Sequence, residues 1–221
     1  MCSVLVLDLD DTLFPEKQFV LSGFQEIDRF LLERGYSGFF AEARRLFDSG
    51  IRGDVFDRVL RSLGVMEAAQ LIPELIKIYR EHAPTLQLHK DADWTLRFFH
   101  KRNQLGLITD GYLLTQKNKV KALGIAHYFD AVVYSDEFGR DHWKPSPTPY
   151  MKLKGILGCD HRNCVYVADN PKKDFVTPNK LGWRTIQICR PDGEYAFAQA
   201  PLGFQAQEKI STLQELQALI T

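Results

Sequence analysis

The chain has no excess of charge. Its 28 basic and 28 acidic side chains cancel over 221 residues, which excludes a broad basic surface for nucleic acid or an anionic membrane. Cysteine is scarce. The four thiols, Cys2, Cys159, Cys164 and Cys189, are too few at this length for a disulfide framework. No second Cys or His pair stands at zinc-finger spacing from Cys159 and Cys164, so the thiols read as small buried hydrophobes or inert groups. Long apolar runs are also missing, and no stretch reaches the roughly 18 uninterrupted residues of a membrane span. The opening segment MCSVLVLDLDD has no basic start, and its apolar run stops at Leu7, too soon for a signal-peptide core. The expected location is therefore the cytoplasm. The sequence contains neither a fixed-period repeat nor a low-complexity tract.

What is present is ordinary globular composition, with 45% hydrophobic and 25% charged residues. Five short apolar runs read as strands buried on both faces: Val4–Leu7, Leu105–Ile108, Ala131–Tyr134, Cys164–Ala168 and Thr185–Cys189. Helical patterns separate the later runs, over Asp91–Lys101, Tyr112–Leu123, Pro149–Leu157 and Lys172–Leu181. A last one, Ser211–Ile220, has Ser211 or Thr212 as its N-cap. This alternation predicts an α/β fold, a Rossmann-like parallel sheet sandwiched by helices. One interval breaks the rhythm: about ninety residues separate the first two strands, far more than one crossover needs. There the patterns Phe19–Arg34, Phe39–Asp48, Asp54–Leu63 and Glu67–His82 follow one another, with Pro73 placed to delay or kink the last. The expected organisation is a core domain of residues 1–14 and 85–221 with an inserted all-α cap domain of residues 15–84.

Ligands of open parallel α/β sheets bind outside the carboxyl ends of the strands, and the residues that follow the apolar runs are polar. The first run ends in Asp8, with Asp10 and Asp11 behind it. The second ends in Thr109, Asp110 and Gly111, and the fourth in Asp169, with Asp174 five residues on. The third ends in Ser135, and Lys144 lies in the loop beyond. A single aspartate after a strand is ordinarily a cap or turn residue, but four near one edge need another account. Two carboxylates about 4 Å apart repel by roughly 4 kcal/mol at an effective dielectric of about 20. Such a cluster needs a cation, a proton or separation, and an all-oxygen donor set suits Mg²⁺ shared with a substrate phosphate. The Lys144 ammonium, the Thr109 hydroxyl and the free amides at Asp110–Gly111 suit phosphate oxygens. A carboxylate nucleophile beside metal and phosphate points to phosphoryl transfer through an aspartyl-phosphate.

At these residues the chain resembles the haloacid dehalogenase superfamily, in its phosphatase branch with an α-helical cap between the first and second motifs. Asp8-Leu9-Asp10-Asp11-Thr12 is similar to the family's DxDxT motif, Thr109 to its second motif, and Lys144 to its third. Asp169-Asn170-Pro171-Lys172-Lys173-Asp174 is similar to its paired acids. All four occur in order. The resemblance implies that Asp8 is the nucleophile and that Asp10 protonates the leaving oxygen and later activates water. Mg²⁺ would be held by Asp8, the Asp10 carbonyl and Asp169, with Asp174 either supporting the metal's waters or orienting Lys144. Thr109, the Asp110 and Gly111 amides and Lys144 would hold the phosphoryl group. Dehalogenating members lack the second acid of the first motif, because halide leaves without a proton. Asp10 therefore favours a Mg²⁺-dependent phosphatase acting on a small phosphorylated metabolite, a sugar phosphate or nucleotide monophosphate. A phosphomutase of the same fold is the alternative, with a non-catalytic binding protein or a dehalogenase behind it. Asp110 departs from the asparagine common at its position, and its side chain is expected to face away from the phosphate.

Specificity is expected in residues 15–84 and in the loop before Lys144. Arg52, between Gly50 and Gly53, is a candidate contact for a second anionic or hydroxylated part of the substrate, with a solvated loop arginine an equal alternative. Arg44 and Arg45 read as solvent-facing, and Phe39, Phe40, Phe47 and Phe56 as helical core rather than a stacking platform. His142 and Trp143 either close over the ligand or pack, and Lys117, Lys119 and Lys121 read as a solvated helix face. The expected partner is a small phosphorylated metabolite, with no nucleic acid and no membrane.

Overall fold

Strands β1 (Val4–Leu7), β2 (Gln104–Thr109), β3 (Ala131–Tyr134), β4 (Cys164–Ala168), β5 (Arg184–Ile188) and β6 (Glu208–Ile210) form one parallel sheet in the order β3-β2-β1-β4-β5-β6. The structure, a computed structural model, describes residues 4–196 and 198–220, and Cys2 lies outside the described residues. The chain divides into two compact units, Met1–Glu16 with Gln87–Thr221, and Lys17–Leu86.

In the first unit the sheet carries helices α5 (Lys90–Phe99), α6 (Leu113–Leu123), α7 (Thr148–Leu157), α8 (Val176–Lys180) and α9 (Leu216–Ile220). Val4 and Val6 of β1 join Ile108, Val133, Tyr166 and Trp183 in one apolar layer with Tyr150, Leu153 and Leu157 of α7. The intervening Leu5 and Leu7 are as deeply buried, so β1 is covered on both faces, as a central parallel strand must be. Gly106 lets α7 close onto β2: a Cβ there would lie 2.7 Å from Leu153 Cδ2. The order in which strands are added reverses at β1, since β2 and β3 lie on one side and β4, β5 and β6 on the other. Leu7 stands level with Leu107 and Val167. The chain therefore leaves β1 at Asp8, β2 at Thr109 and β4 at Asp169 on one edge, at the topological switch point.

The second unit is helical, with most of α1 (Glu16–Leu32), then α2 (Phe39–Asp48), α3 (Val55–Ser62) and α4 (Ala68–Glu81). Its core holds Phe24, Ile27, Leu31, Phe39, Leu46, Val59 and Leu75. The Phe24 ring meets those of Phe39, Phe47 and Phe56, each centroid 6.2 Å away, so these aromatics serve the interior. Pro73 lies inside α4, which starts ahead of it.

Three elements differ from the sequence pattern. β6 was not expected: it has three residues and one buried apolar side chain, Ile210, and is defined by pairing with Ile186–Ile188 rather than by its own composition. The helix expected over Lys172–Leu181 is confined to Val176–Lys180. The residues before it close a turn instead: the Asn170 side chain accepts from the Lys172 amide at 2.9 Å, and Asp174 Oδ2 accepts from the Asn170 amide at 3.2 Å. The last helix begins as a 3₁₀ turn over Leu213–Glu215, with Thr212 and Glu215 forming a capping box.

Candidate active site

Asp8 follows β1, and its amide still donates to Val167 of β4 at 2.9 Å. That bond fixes its carboxylate beside the end of β4. Asp11 turns the chain immediately afterwards with φ 51°, a left-handed conformation that aspartate tolerates better than most residues. Its two carboxylate oxygens accept from the amides of Glu16 (2.8 Å) and Glu194 (3.3 Å). Asp11 thus shapes the loop, and Asp8 and Asp10 are left for other work.

Lys144 reaches this edge from the loop before α7. Its ammonium has three acceptors, Asp8 Oδ1 at 2.5 Å, Asp174 Oδ1 at 2.7 Å and the Tyr166 hydroxyl at 3.0 Å. Asp174 is thus in direct contact with Lys144, as one of its two expected roles requires. Tyr166 in turn donates to Asp174 Oδ1 at 3.2 Å, and the Tyr150 hydroxyl donates to the Asp174 carbonyl at 3.0 Å. Burial works against the Lys144 charge, but Asp174 and Asp8 hold its pKa well above the usual lysine value. Burial pushes the Asp8 carboxyl up to about 7 against the pull of Lys144, with the Asp174 charge adding to the rise. Burial also raises Asp169 well above its usual value, helped by the Asp8, Asp174 and Asp11 charges.

Carboxylate oxygens of Asp8, Asp169 and Asp174 all lie within 4.8 Å of one another. Among the described residues the Asp169 carboxylate has no hydrogen-bond or ion-pair partner, although the residue is only 8% exposed. A buried, crowded carboxylate without a protein cation is stabilised by an added one. The donor set is oxygen only, which fits Mg²⁺.

Thr109 is fully buried at the end of β2, and its hydroxyl accepts from Gln116 Nε2. Gly111 has φ 130°, and a Cβ there would lie 3.1 Å from Gln116 Oε1. The position is open only to glycine, both for its backbone and for the side chain packed above it. The Asp110 carboxylate is taken up by two lysines: Oδ1 accepts from the Lys144 amide at 3.2 Å and Oδ2 pairs with Lys173 at 2.9 Å. Although burial opposes it, the Lys144 and Lys173 charges keep Asp110 below the usual carboxylate range.

The remaining candidates are placed by local contacts. Trp143 Nε1 donates to Asp136 at 3.0 Å, and its ring stands edge-on to Tyr112. His142 Nδ1 meets the Thr148 hydroxyl at 2.9 Å. Arg52 belongs to the helical unit, where its guanidinium lies 3.9 Å from the Phe47 ring centroid and Nη1 donates to the Phe47 and Ile51 carbonyls.

One sequence reading is corrected. Lys119 is not on a solvated face: its side chain is 3% exposed and its ammonium lies 2.7 Å from Asp10 Oδ1. Helix geometry carried the signal. Lysines at 117 and 121 share a face, while 119, two residues from each, projects from the other side. Lys117 and Lys121 are exposed, as expected. Gln116 and Tyr166 had no motif to mark them, and Lys173 stands between the paired acids of the fourth motif without a role assigned to it.

Fold and site together define an α/β enzyme core with an acidic centre at its switch point. The family model of haloacid dehalogenase-like hydrolases matches residues 5–188, and the chain belongs to that family. It is 28% identical over 205 residues to a glyceraldehyde 3-phosphate phosphatase of Methanopyrus kandleri, covering 88% of this chain and 86% of that one. It is 25% identical over 228 residues to a phosphoserine phosphatase of Thermus thermophilus, covering 85% and 88%. Among solved structures it resembles the HAD-hydrolase YfnB of Bacillus subtilis, crystallised with magnesium, at TM-score 0.72 and 16% identity over 100% of this chain and 99% of the other.

Proposed function

We propose that this hydrolase is a phosphatase of small phosphorylated metabolites that works by double displacement through Asp8. The observation that carries the reading is the convergence at one sheet edge of Asp8, Thr109, Lys144 and the unpartnered Asp169, with a second acid, Asp10, two residues beyond Asp8. Phosphatase relatives that cover most of the chain support it. Asp8, the Asp10 carbonyl and Asp169 would hold Mg²⁺, whose charge offsets that of the carboxylates and of the phosphate. Lys144, Thr109 and the Asp110 and Gly111 amides bind and orient the phosphoryl oxygens. An Asp8 oxygen attacks phosphorus as the bond to the ester oxygen breaks, and Asp10 gives that oxygen its proton. Asp10, now a carboxylate, takes a proton from water. The water oxygen bonds to phosphorus, the bond to Asp8 breaks, and inorganic phosphate leaves. Residues 15–84 are the seat of substrate choice in this reading.

The test is phosphate release from a panel of sugar phosphates, phospho-amino acids, triose phosphates and nucleotide monophosphates. At least one is expected to be turned over with Mg²⁺, and none after EDTA. Asp8→Asn should lower that turnover at least about 10³-fold while thermal unfolding stays cooperative. Hydrolysis undiminished in EDTA or in Asp8→Asn overturns the proposal. Conversion of a sugar phosphate to its isomer with little phosphate release would mark a mutase instead.

A further inference from the structure

Asp10 is gripped at both carboxylate oxygens by one face of α6. Lys119 Nζ donates to Oδ1 at 2.7 Å, and Gln116 Nε2 donates to Oδ2 at 2.8 Å. Gln116 and Lys119 are three residues apart, so they stand side by side on the helix. Lys119 is anchored further by Glu16 Oε1 at 3.6 Å and lies 5.9 Å from the centre of the Phe14 ring. The same Gln116 Nε2 also donates to the Thr109 hydroxyl, and the Gln116 side chain packs above Gly111. The α6 N-terminus is itself fixed, since the Leu113 amide donates to Asp136 Oδ2 at 2.9 Å. These contacts are expensive to keep. A lysine buried to 3% exposure loses its hydration, and it is retained only where its partner repays that cost.

A carboxyl group that first donates a proton and then, as a carboxylate, accepts one must be aimed at the same point twice. A free aspartate rotates about two side-chain torsions, and a misplacement of about 1 Å can cost 10²-fold in rate. Two donors on a rigid helix, one to each oxygen, remove that freedom. We propose that Gln116 and Lys119 are positioning residues that fix the orientation of the Asp10 carboxylate for proton transfer to and from the substrate oxygen. The proposal rests on the phosphatase reading above and assigns neither residue a contact with substrate.

The test separates positioning of Asp10 from general support of the fold. Glycerol phosphate loses an alkoxide that needs a proton. p-Nitrophenyl phosphate loses a phenolate that does not. The ratio kcat/KM reports steps up to departure of that group, so it isolates the first proton transfer. In Lys119→Met, kcat/KM for glycerol phosphate is expected to fall about 10- to 100-fold, and that for p-nitrophenyl phosphate about threefold or less. Lys119→Arg should restore part of the loss. Gln116→Leu, which leaves the ion pair intact, should show the same contrast between substrates and serves where Lys119→Met fails to fold. Equal losses on both substrates, or no loss, in a cooperatively folded variant overturn the inference. Where glycerol phosphate is not a substrate, an alkyl ester of the panel above that the wild-type protein turns over takes its place. Inactivity of the wild-type protein toward p-nitrophenyl phosphate and toward every ester of that panel would overturn the phosphatase reading itself.

Discussion

Asp8 and Asp10 are two residues apart, yet their surroundings divide the labour between them. Asp8 shares Lys144 with Asp174 and faces Asp169, whereas Asp10 is turned to Lys119 and Gln116. The rise of the Asp8 pKa to about 7 has a consequence for stability. A carboxyl whose pKa is higher in the folded protein than in the unfolded chain binds more protons when folded. Its contribution is fully present below roughly pH 4 and is lost as pH rises toward 7. Asp169 shifts in the same direction. Unfolding free energy without metal, taken as wild type minus Asp8→Asn, is therefore expected to fall over that range. Mg²⁺ requires the ionised carboxylates. It should raise the melting temperature clearly at about pH 8 and little at about pH 5, as scanning calorimetry would show. An equal Mg²⁺ effect at both values would contradict the assignment of these acids to the metal.

Each element of the first unit supplies the site through where it ends. β1, β2 and β4 are adjacent, so Asp8, Thr109 and Asp169 meet without any long loop. α7 follows Lys144 after the short segment Pro145-Ser146-Pro147 and is seated by Gly106. Gly106→Ala would force Leu153 or the helix to move, and an overpacked core position costs about 1–3 kcal/mol. Denaturant unfolding should show a loss of that size, and an unchanged midpoint would mean that α7 is not held there. The strands and the motif residues were legible because buried parallel strands leave unbroken apolar runs, and the polar residues ending those runs stand out. β6 was not, since an edge strand of three residues with one buried side chain leaves no run. The grip of α6 on Asp10 was not read either. Gln116 and Lys119 lie more than a hundred residues from Asp10 in sequence, and only the parallel pairing of β1 with β2 brings α6 to it.

Over the whole molecule, zero net charge conceals a strong local arrangement. Acids from the segment after β1 and the segment after β4 converge, and buried lysines from two further segments come to meet them. The helical unit, closed around its own phenylalanine-rich core, holds none of these groups. The central claim is that the phosphoryl group passes through Asp8. Acid-quenched samples taken during turnover, digested and read by mass spectrometry, test it most directly. The account predicts one phosphoryl group on the peptide carrying Asp8, absent from Asp8→Asn. A modified residue elsewhere, or full turnover with no phosphorylated peptide at any time, would contradict it.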